Sequence, residues 1–308
     1  MSKAKLAIAL STLSVAIVAW AVPIKGIAHQ HVEPLRAADV VAPIRLRDQR
    51  DRGLIAQGWI NGSGPFVFVI DTGAGVSLIN RSVVDRARLS VAKSRRSLVG
   101  GFSTSPISSD QESRISGIAL GRPGNNVPGS FTAAVVSNLP GAIDGVLDPT
   151  DVFSPYGYSV DLPNQELRVF DTTAYRLRMT DVPRDGAVVR WVRESGSNRP
   201  FVTLSDGRLA LLDTGSALGL ALNQSGRPSN HGRREDTTHD LGGGSFQSRR
   251  IAPQTVSIGA LVLNRVPTDM LTGVAPGTPI ILGRGALFPF KITFDPASKL
   301  IAFEPTEK

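Results

Sequence analysis

The 308-residue sequence contains no cysteine, only four histidines, and aromatic residues at 6%. Without cysteine, the chain can form no disulfide and carry no lipid-modified cysteine. The histidines do not form a recognisable metal-ligand set: His29 and His31 lie in the presumed N-terminal tail, and His231 and His239 lie in a polar segment. We therefore expect no metal site and no catalytic histidine.

The net charge is +8, but the basic residues form no continuous stripe interleaved with aromatic side chains. Arginines occur instead as scattered pairs in presumed loops: Arg95-Arg96, Arg233-Arg234 and Arg249-Arg250. This pattern predicts solvated loops and no nucleic-acid partner. Residues 242–244 are three glycines without a following Lys-Ser or Lys-Thr, so a phosphate-binding P-loop is not predicted.

The N-terminus has the pattern of an export signal. Lys3 and Lys5 precede an apolar stretch over residues 6–22 that contains Ala19-Trp20-Ala21, an A-x-A cleavage pattern. We predict a signal peptide over residues 1–21, export to the periplasm or exterior, and a tail or short propeptide over residues 22–42. The alternative is an uncleaved leader that anchors the chain in the inner membrane.

Glycine and proline are plentiful, with 31 and 21 residues, and we find no long segment with the helical 3.6-residue period, except at residues 81–89 and in parts of the leader. Against this mainly β background, one tripeptide occurs twice, each time after an apolar run. Asp71-Thr72-Gly73 follows residues 66–70, and Asp213-Thr214-Gly215 follows residues 209–212. One such tripeptide is typical of a turn. Two buried carboxylates are costly, and their repetition predicts two carboxyls that face each other and hold a water.

The repeat extends beyond the tripeptides, because each half shows the same order of elements. A predicted β-hairpin leads into each Asp, a glycine-rich segment and a short strand follow, an apolar run comes next, and a second hairpin closes the half. The apolar runs are residues 143–147 and 280–283, and the closing hairpins span residues 158–170 and 291–303.

These motifs resemble the pepsin and retropepsin superfamily of aspartic peptidases, and the likeness covers residues 43–305. Residues 61–66, Asn-Gly-Ser-Gly-Pro-Phe, leading into Asp71 are similar to retropepsin-like bacterial proteins, and residues 144–147 are similar to the segment that closes the first pepsin lobe. The resemblance implies an all-β fold of two similar β-barrel lobes with the active-site cleft between them. We predict an N-terminal lobe over 43–170, a connection over 171–186 and a C-terminal lobe over 187–308.

The resemblance also implies a function, that of a monomeric aspartic endopeptidase acting on peptide or protein substrates without a metal or organic cofactor. Asp71 and Asp213 would be catalytic, and Thr72 and Thr214 would hydrogen-bond across the lobes. Gly73 and Gly215 would admit backbone N–H groups to the carboxylates. Ala74 and Ser216 complete the supporting loops, with the Ser216 hydroxyl expected to contact the nearby Asp.

The sequence departs from the family pattern in two ways. Asp148 stands where pepsins have glycine, and neither glycine-rich segment contains the tyrosine of a pepsin flap. The segments resemble retropepsin flap tips and predict two flaps, with surface loops as the alternative. The candidate flap residues are Gly100, Gly101 and Phe102 in the first half and Gly243, Gly244 and Phe246 in the second.

Both departures favour an alternative function, a non-catalytic exported module that binds peptides or an envelope partner on the same fold. The two intact Asp-Thr-Gly motifs favour the peptidase, since a binding protein needs no pair of buried carboxyls. A carbohydrate-acting enzyme is a third alternative, but its paired carboxyls lie farther apart and need no twin motif.

Overall fold

The computed structural model describes residues 39–49, 52–104, 107–137, 139–194, 197–223, 236–239 and 244–306. One compact unit spans Leu35–Lys308, and the described residues belong to it. Strands account for 53% of the structure and helices for 8%, so the all-β prediction is confirmed. The predicted leader lies outside the described residues. Within the described ranges, no helix is long and apolar enough to span a membrane.

The first half of the chain, here residues 39–170, contains thirteen of the strands that the structure describes. They are β1 (Ile44–Arg45), β2 (Arg47–Gln49), β3 (Gly53–Ile60), β4 (Ser63–Ile70), β5 (Ser77–Asn80), β6 (Ala92–Gly100), β7 (Ile107–Ile115), β8 (Ile118–Leu120), β9 (Asn126–Val127), β10 (Phe131–Val136), β11 (Gly145–Leu147), β12 (Gly157–Asp161) and β13 (Glu166–Phe170). The helical segments in this half are α1 (Arg81–Ala87), a 3₁₀ turn (Pro140–Ala142) and α2 (Pro149–Val152).

The second half, here residues 187–306, contains ten described strands and one short helix. They are β14 (Ala187–Arg190), β15 (Phe201–Thr203), β16 (Leu209–Asp213), β17 (Leu220–Asn223), β18 (Asp236–His239), β19 (Ser245–Ile258), β20 (Leu261–Thr272), β21 (Ile280–Gly283), α3 (Arg284–Leu287), β22 (Phe290–Asp295) and β23 (Leu300–Pro305).

Each half contributes its own sheet, and the two sheets match strand for strand. The first has the order β6-β7-β10-β5-β11-β4-β3, extended at its end by β8 and β9, and the second has the order β18-β19-β20-β17-β21-β16-β15. Strand directions also match. The strands β11 and β4 are parallel, as are β21 and β16, and the parallel pair β10 and β5 corresponds to β20 and β17. The duplicated order of elements in the sequence therefore reappears as duplicated topology.

A third sheet joins the two halves. Its order is β1-β13-β12-β22-β23-β14, so the closing hairpins of both halves lie side by side. Tyr158 and Phe294, which face each other across β12 and β22, stack with ring centroids 4.7 Å apart, and Trp191 packs edge-on against Phe294. Buried aromatic pairs of this kind contribute beyond the area they bury, and here they tie the two halves to one core.

The hairpin that ends at Asp71 shows how local sequence positions the site. Asn61 and Gly62 both have positive φ, 50° and 76°, as a two-residue hairpin turn between right-twisted strands requires. The following strand β4 is buried at Phe66 and along residues 68–70, so the hydrophobic effect holds it in the sheet up to the residue before Asp71. In the second half, β15 and β16 form the corresponding hairpin.

Candidate active site

The two Asp-Thr-Gly motifs occupy the same place in the two matching sheets. Asp71 directly follows β4 and Asp213 is the last residue of β16, and a parallel strand lies beside each. The backbone N–H of Asp71 donates to the carbonyl of Leu147 in the neighbouring β11 at 3.0 Å. Asp71 is 9% exposed and Asp213 is 3% exposed. Both carboxyls are therefore held at the ends of hydrogen-bonded strands, and both residues are almost completely buried.

The two threonines bind the loops of the two halves to each other. The Thr72 backbone N–H donates to Thr214 Oγ1 at 3.1 Å, and the Thr214 N–H donates to Thr72 Oγ1 at 3.1 Å. Each hydroxyl in turn donates to a carbonyl of the opposite half, Thr72 to Leu212 at 2.7 Å and Thr214 to Ile70 at 3.0 Å. Both threonines are fully buried, so these bonds form away from competing water.

The two glycines show how tightly each carboxyl lies against the opposite loop. A Cβ built on Gly73 would lie 2.6 Å from Asp213 Cγ, and one built on Gly215 would lie 2.4 Å from Asp71 Oδ2. Neither separation is possible for a real side chain, so only glycine fits at these two positions. The reciprocal contact places the two carboxyls together, and their side chains share a hydrogen bond.

Backbone N–H groups stabilise each carboxylate, but not in the same way. The N–H of Gly73 donates to Asp71 Oδ1 at 2.8 Å, whereas the N–H of Ser216 donates to Asp213 Oδ1 at 2.9 Å. The contact we expected from the Ser216 hydroxyl is thus made by its backbone. The hydroxyl oxygen accepts a bond from the N–H of Leu218 at 3.3 Å and holds the loop beyond the site. Ala74 closes the turn of the other loop through its N–H to the Asp71 carbonyl at 3.3 Å.

Burial raises the pKa of both carboxyls, but the rest of the surroundings separates them. The neighbouring Asp213 charge and its hydrogen bond raise the pKa of Asp71 further, to well above the usual range. The pKa of Asp213 is raised less, because the bond from Asp71, the N–H groups of Ser216 and Gly215, and the Arg284 charge all favour its ionised form. The two carboxyls therefore titrate as one coupled pair, in which like charges at short range favour the state that holds a single proton.

Comparison with known protein families agrees with this geometry. Residues 56–147 match the model of a family described as aspartyl protease, of the retropepsin-like clan. This match supports membership of the aspartic peptidase superfamily. The match includes Asp71, the strand before it and the closing strand β11, and it supports a peptidase hydrolase in general. The comparison with curated proteins finds no match.

Arg284 supports the loop that follows Asp213. Its side chain is 4% exposed, and Nη1 donates to the carbonyls of Thr214 and Gly215, both at 2.9 Å. Its Nε lies 3.3 Å from Oδ1 of Asp48, which belongs to β2 of the first half. Sequence reasoning gave no role to either residue. Arg284 directly follows the apolar run of β21, but nothing in the sequence pointed to Asp48.

Asp148 is fully buried next to the strand that pairs with the strand before Asp71. It caps the N-terminus of α2, where Oδ1 accepts the Thr150 N–H at 2.9 Å. Its second oxygen, Oδ2, has no hydrogen-bond partner among the described residues. Burial raises the pKa of Asp148 to about 7, against the lowering effect of the bonds from Thr150. The first half thus accommodates a carboxyl where pepsins have glycine.

The first flap candidate reaches across to the second half. Gly100 ends β6 and Gly101 has a φ of 98°, which turns the chain toward Phe102. The Phe102 carbonyl accepts the N–H of Ala275 at 2.8 Å, and Phe102 packs against the hydrophobic cluster of Ala221, Phe246, Leu271 and Ile281. Phe102 of the first flap candidate therefore packs against the same hydrophobic cluster that contains Phe246 of the second.

Only part of the second flap candidate lies within the described residues. Gly244 and Phe246 are described, Phe246 as a buried residue of β19, and Gly243 lies outside the described residues. A second flap thus stays a prediction. In the described part of the chain, no group of three or more His, Asp or Glu side chains is placed to hold a metal ion.

Proposed function

We propose that this chain is an aspartic endopeptidase that hydrolyses peptide bonds through a water activated by Asp71 and Asp213. The observation that carries the proposal is the pair of buried, hydrogen-bonded carboxyls on twin loops that Thr72 and Thr214 lock together. Like-charged carboxyls at such short range share a proton, and the asymmetric N–H donors assign an acid and a base to them.

The reaction follows from these two protonation states. Asp213 takes a proton from the water as the water oxygen attacks the scissile carbonyl carbon, and protonated Asp71 donates its proton to the carbonyl oxygen. This step gives a neutral tetrahedral diol. When the carbon–nitrogen bond breaks, Asp213 gives its proton to the leaving amine and a diol hydroxyl returns a proton to Asp71. The products are a carboxylic acid and an amine, and the pair again holds one proton.

The substrate we propose is an extended polypeptide held by strand-like hydrogen bonds. The hairpin of β6 and β7 supports this idea, because its tip already makes a strand-like contact with the second half between Ser103 and Val274. An extended peptide that replaces this contact would find backbone donors and acceptors on both sides. The proposal needs no metal or organic cofactor and no second copy of the chain. We also propose export, or inner-membrane anchoring through an uncleaved leader, on the sequence pattern alone.

The test is digestion of a diverse peptide mixture by the purified chain between pH 3 and 7, with cleavage sites identified by mass spectrometry. We expect cleavage by the parent, and none by a double variant that carries Asp71→Asn and Asp213→Asn. Circular dichroism of both samples shows whether they are folded. Cleavage that survives in the double variant comes from a contaminant or another site and would overturn the proposal. A folded parent that binds peptides but never cleaves them would favour the non-catalytic module.

A further inference from the structure

Asp148 lies one residue beyond the strand that supports Asp71. The carbonyl of Leu147 accepts the Asp71 N–H at 3.0 Å, and the next residue, Asp148, donates its own N–H to Ser77 Oγ at 3.1 Å. The residue is fully buried, with a relative exposure of 0%. Its carboxyl therefore sits in the wall behind Asp71, where solvent does not screen its charge.

The groups around this carboxyl do not neutralise it. Thr150 caps one oxygen, and Asp151 of the same helix adds a second negative charge. From β12, Tyr158 faces the site and hydrogen-bonds Thr150 Oγ1 at 2.9 Å, and from the catalytic loop the facing group is Asp71. Arg193 is a cation near Tyr158, and Arg284 is a cation near Asp71 and Asp213.

The second half has no equivalent carboxyl. Leu147 pairs with Ile70 as Leu282 pairs with Leu212, so the position of Asp148 corresponds to that of Gly283. A Cβ on Gly283 would lie 2.4 Å from the carbonyl oxygen of Leu218, so no side chain fits at this position of the second half. The carboxyl behind Asp71 is therefore an asymmetric feature of this molecule.

We propose that Asp148 is a positioning residue. Its buried negative charge, behind the loop of Asp71, raises the proton affinity of the Asp71–Asp213 pair. The proposal rests on the proposed peptidase function. When Asp148 ionises, its negative charge makes loss of the shared proton less favourable, so the singly protonated pair persists to higher pH. At low pH Asp148 is neutral and has no such effect. The influence is thus confined to the alkaline limb of the pH profile.

The test is the pH profile of kcat/KM for the parent and Asp148→Asn on one peptide that the parent cleaves. Asparagine keeps an oxygen for the helix cap but carries no charge. We expect the alkaline limb to move to lower pH by about one unit, because the substitution removes the negative charge that Asp148 places near the pair. The acid limb should stay in place. A merely structural role would lower the whole profile and move neither limb.

The matched control is Asp171→Asn. Asp171 also accepts an N–H two residues ahead, that of Thr173 at 2.7 Å, but it is only partly buried, so its replacement should leave the profile unchanged. Should Asp148→Asn fold poorly, Asp148→Ser provides a second uncharged cap. An alkaline limb that is the same in the parent and the folded variant overturns the inference.

A second readout separates this inference from the proposed function. In the chain labelled with ¹³C at the aspartate carboxyls, the signals of the pair are assigned by their loss in Asp71→Asn and Asp213→Asn. If the chain cleaves nothing but Asp148→Asn still lowers the upper titration midpoint of the pair, the peptidase proposal fails and the coupling stands. If the chain cleaves peptides but Asp148→Asn leaves the midpoint unchanged, the peptidase proposal stands and the coupling fails.

Discussion

Replacing Asp213 with asparagine should lower kcat/KM by about 10²- to 10⁴-fold, the usual contribution of a general acid or base. In the proposed mechanism Asp213 is the base, because Ser216, Gly215 and Arg284 all favour its ionised form. Asparagine cannot accept the proton of the attacking water. It does keep an oxygen in the place that accepts the Ser216 N–H at 2.9 Å, so the loop should retain its geometry.

Asp71→Asn should cause a loss of the same order, because asparagine cannot deliver a proton to the substrate carbonyl. Initial rates on a peptide cleaved by the parent measure both losses, at the parent's optimal pH. The control is Asp185→Asn, which removes a carboxyl that is 84% exposed and far along the chain from either loop. If either folded dyad variant retained more than a tenth of the parent activity, the assignment of that aspartate would be wrong.

Arg284→Met should lower the free energy of unfolding by about 3–5 kcal/mol, the cost of breaking a buried ion pair by removing one partner. The guanidinium satisfies the carbonyls of Thr214 and Gly215 and lies beside Asp48, all in a site where the arginine is 4% exposed. Methionine fills a similar volume but donates no hydrogen bond. Two carbonyls would lose their donor, and Asp48 would lose its cation.

Urea unfolding at pH 7 measures this effect. The control is Arg190→Met at the exposed end of β14, which should change the free energy of unfolding by less than about 0.5 kcal/mol. Because the Arg284 charge also lowers the pKa of Asp213, the acid limb of the Arg284→Met pH profile should move to higher pH. Arg284→Met with parent-like stability would show that the loops do not depend on this brace.

Much of the fold can be predicted from sequence because its signals are local or repeated. The turn residues Asn61 and Gly62 specify a tight hairpin, and the helix predicted near residues 81–89 is observed as α1, Arg81–Ala87. The duplicated motif then indicated that Asp71 and Asp213 occupy equivalent strand ends. Two equivalent strand ends in one chain were sufficient to predict that the carboxyls meet.

The features that could not be predicted depend on contacts between residues far apart in the sequence. Asp48 pairs with Arg284 only because β2 of the first half reaches the second catalytic loop. Asp148 was visible in the sequence as a departure from the family, but its burial behind Asp71 follows from the pairing of β11 with β4. The prediction that the Ser216 hydroxyl contacts the nearby Asp was wrong, because the backbone N–H of Ser216 makes the contact with Asp213. A backbone N–H carries no sequence signature.

The central claim is that Asp71 and Asp213 act as one site that recognises a tetrahedral centre. Isothermal titration of a statine-type inhibitor, whose hydroxyl-bearing carbon mimics the diol, tests it directly. The account predicts saturable one-to-one binding to the parent and to Asp185→Asn, and binding at least about 100-fold weaker to Asp213→Asn. Equal affinity for the parent and the folded Asp213→Asn variant, or no binding to a folded parent, would contradict the account.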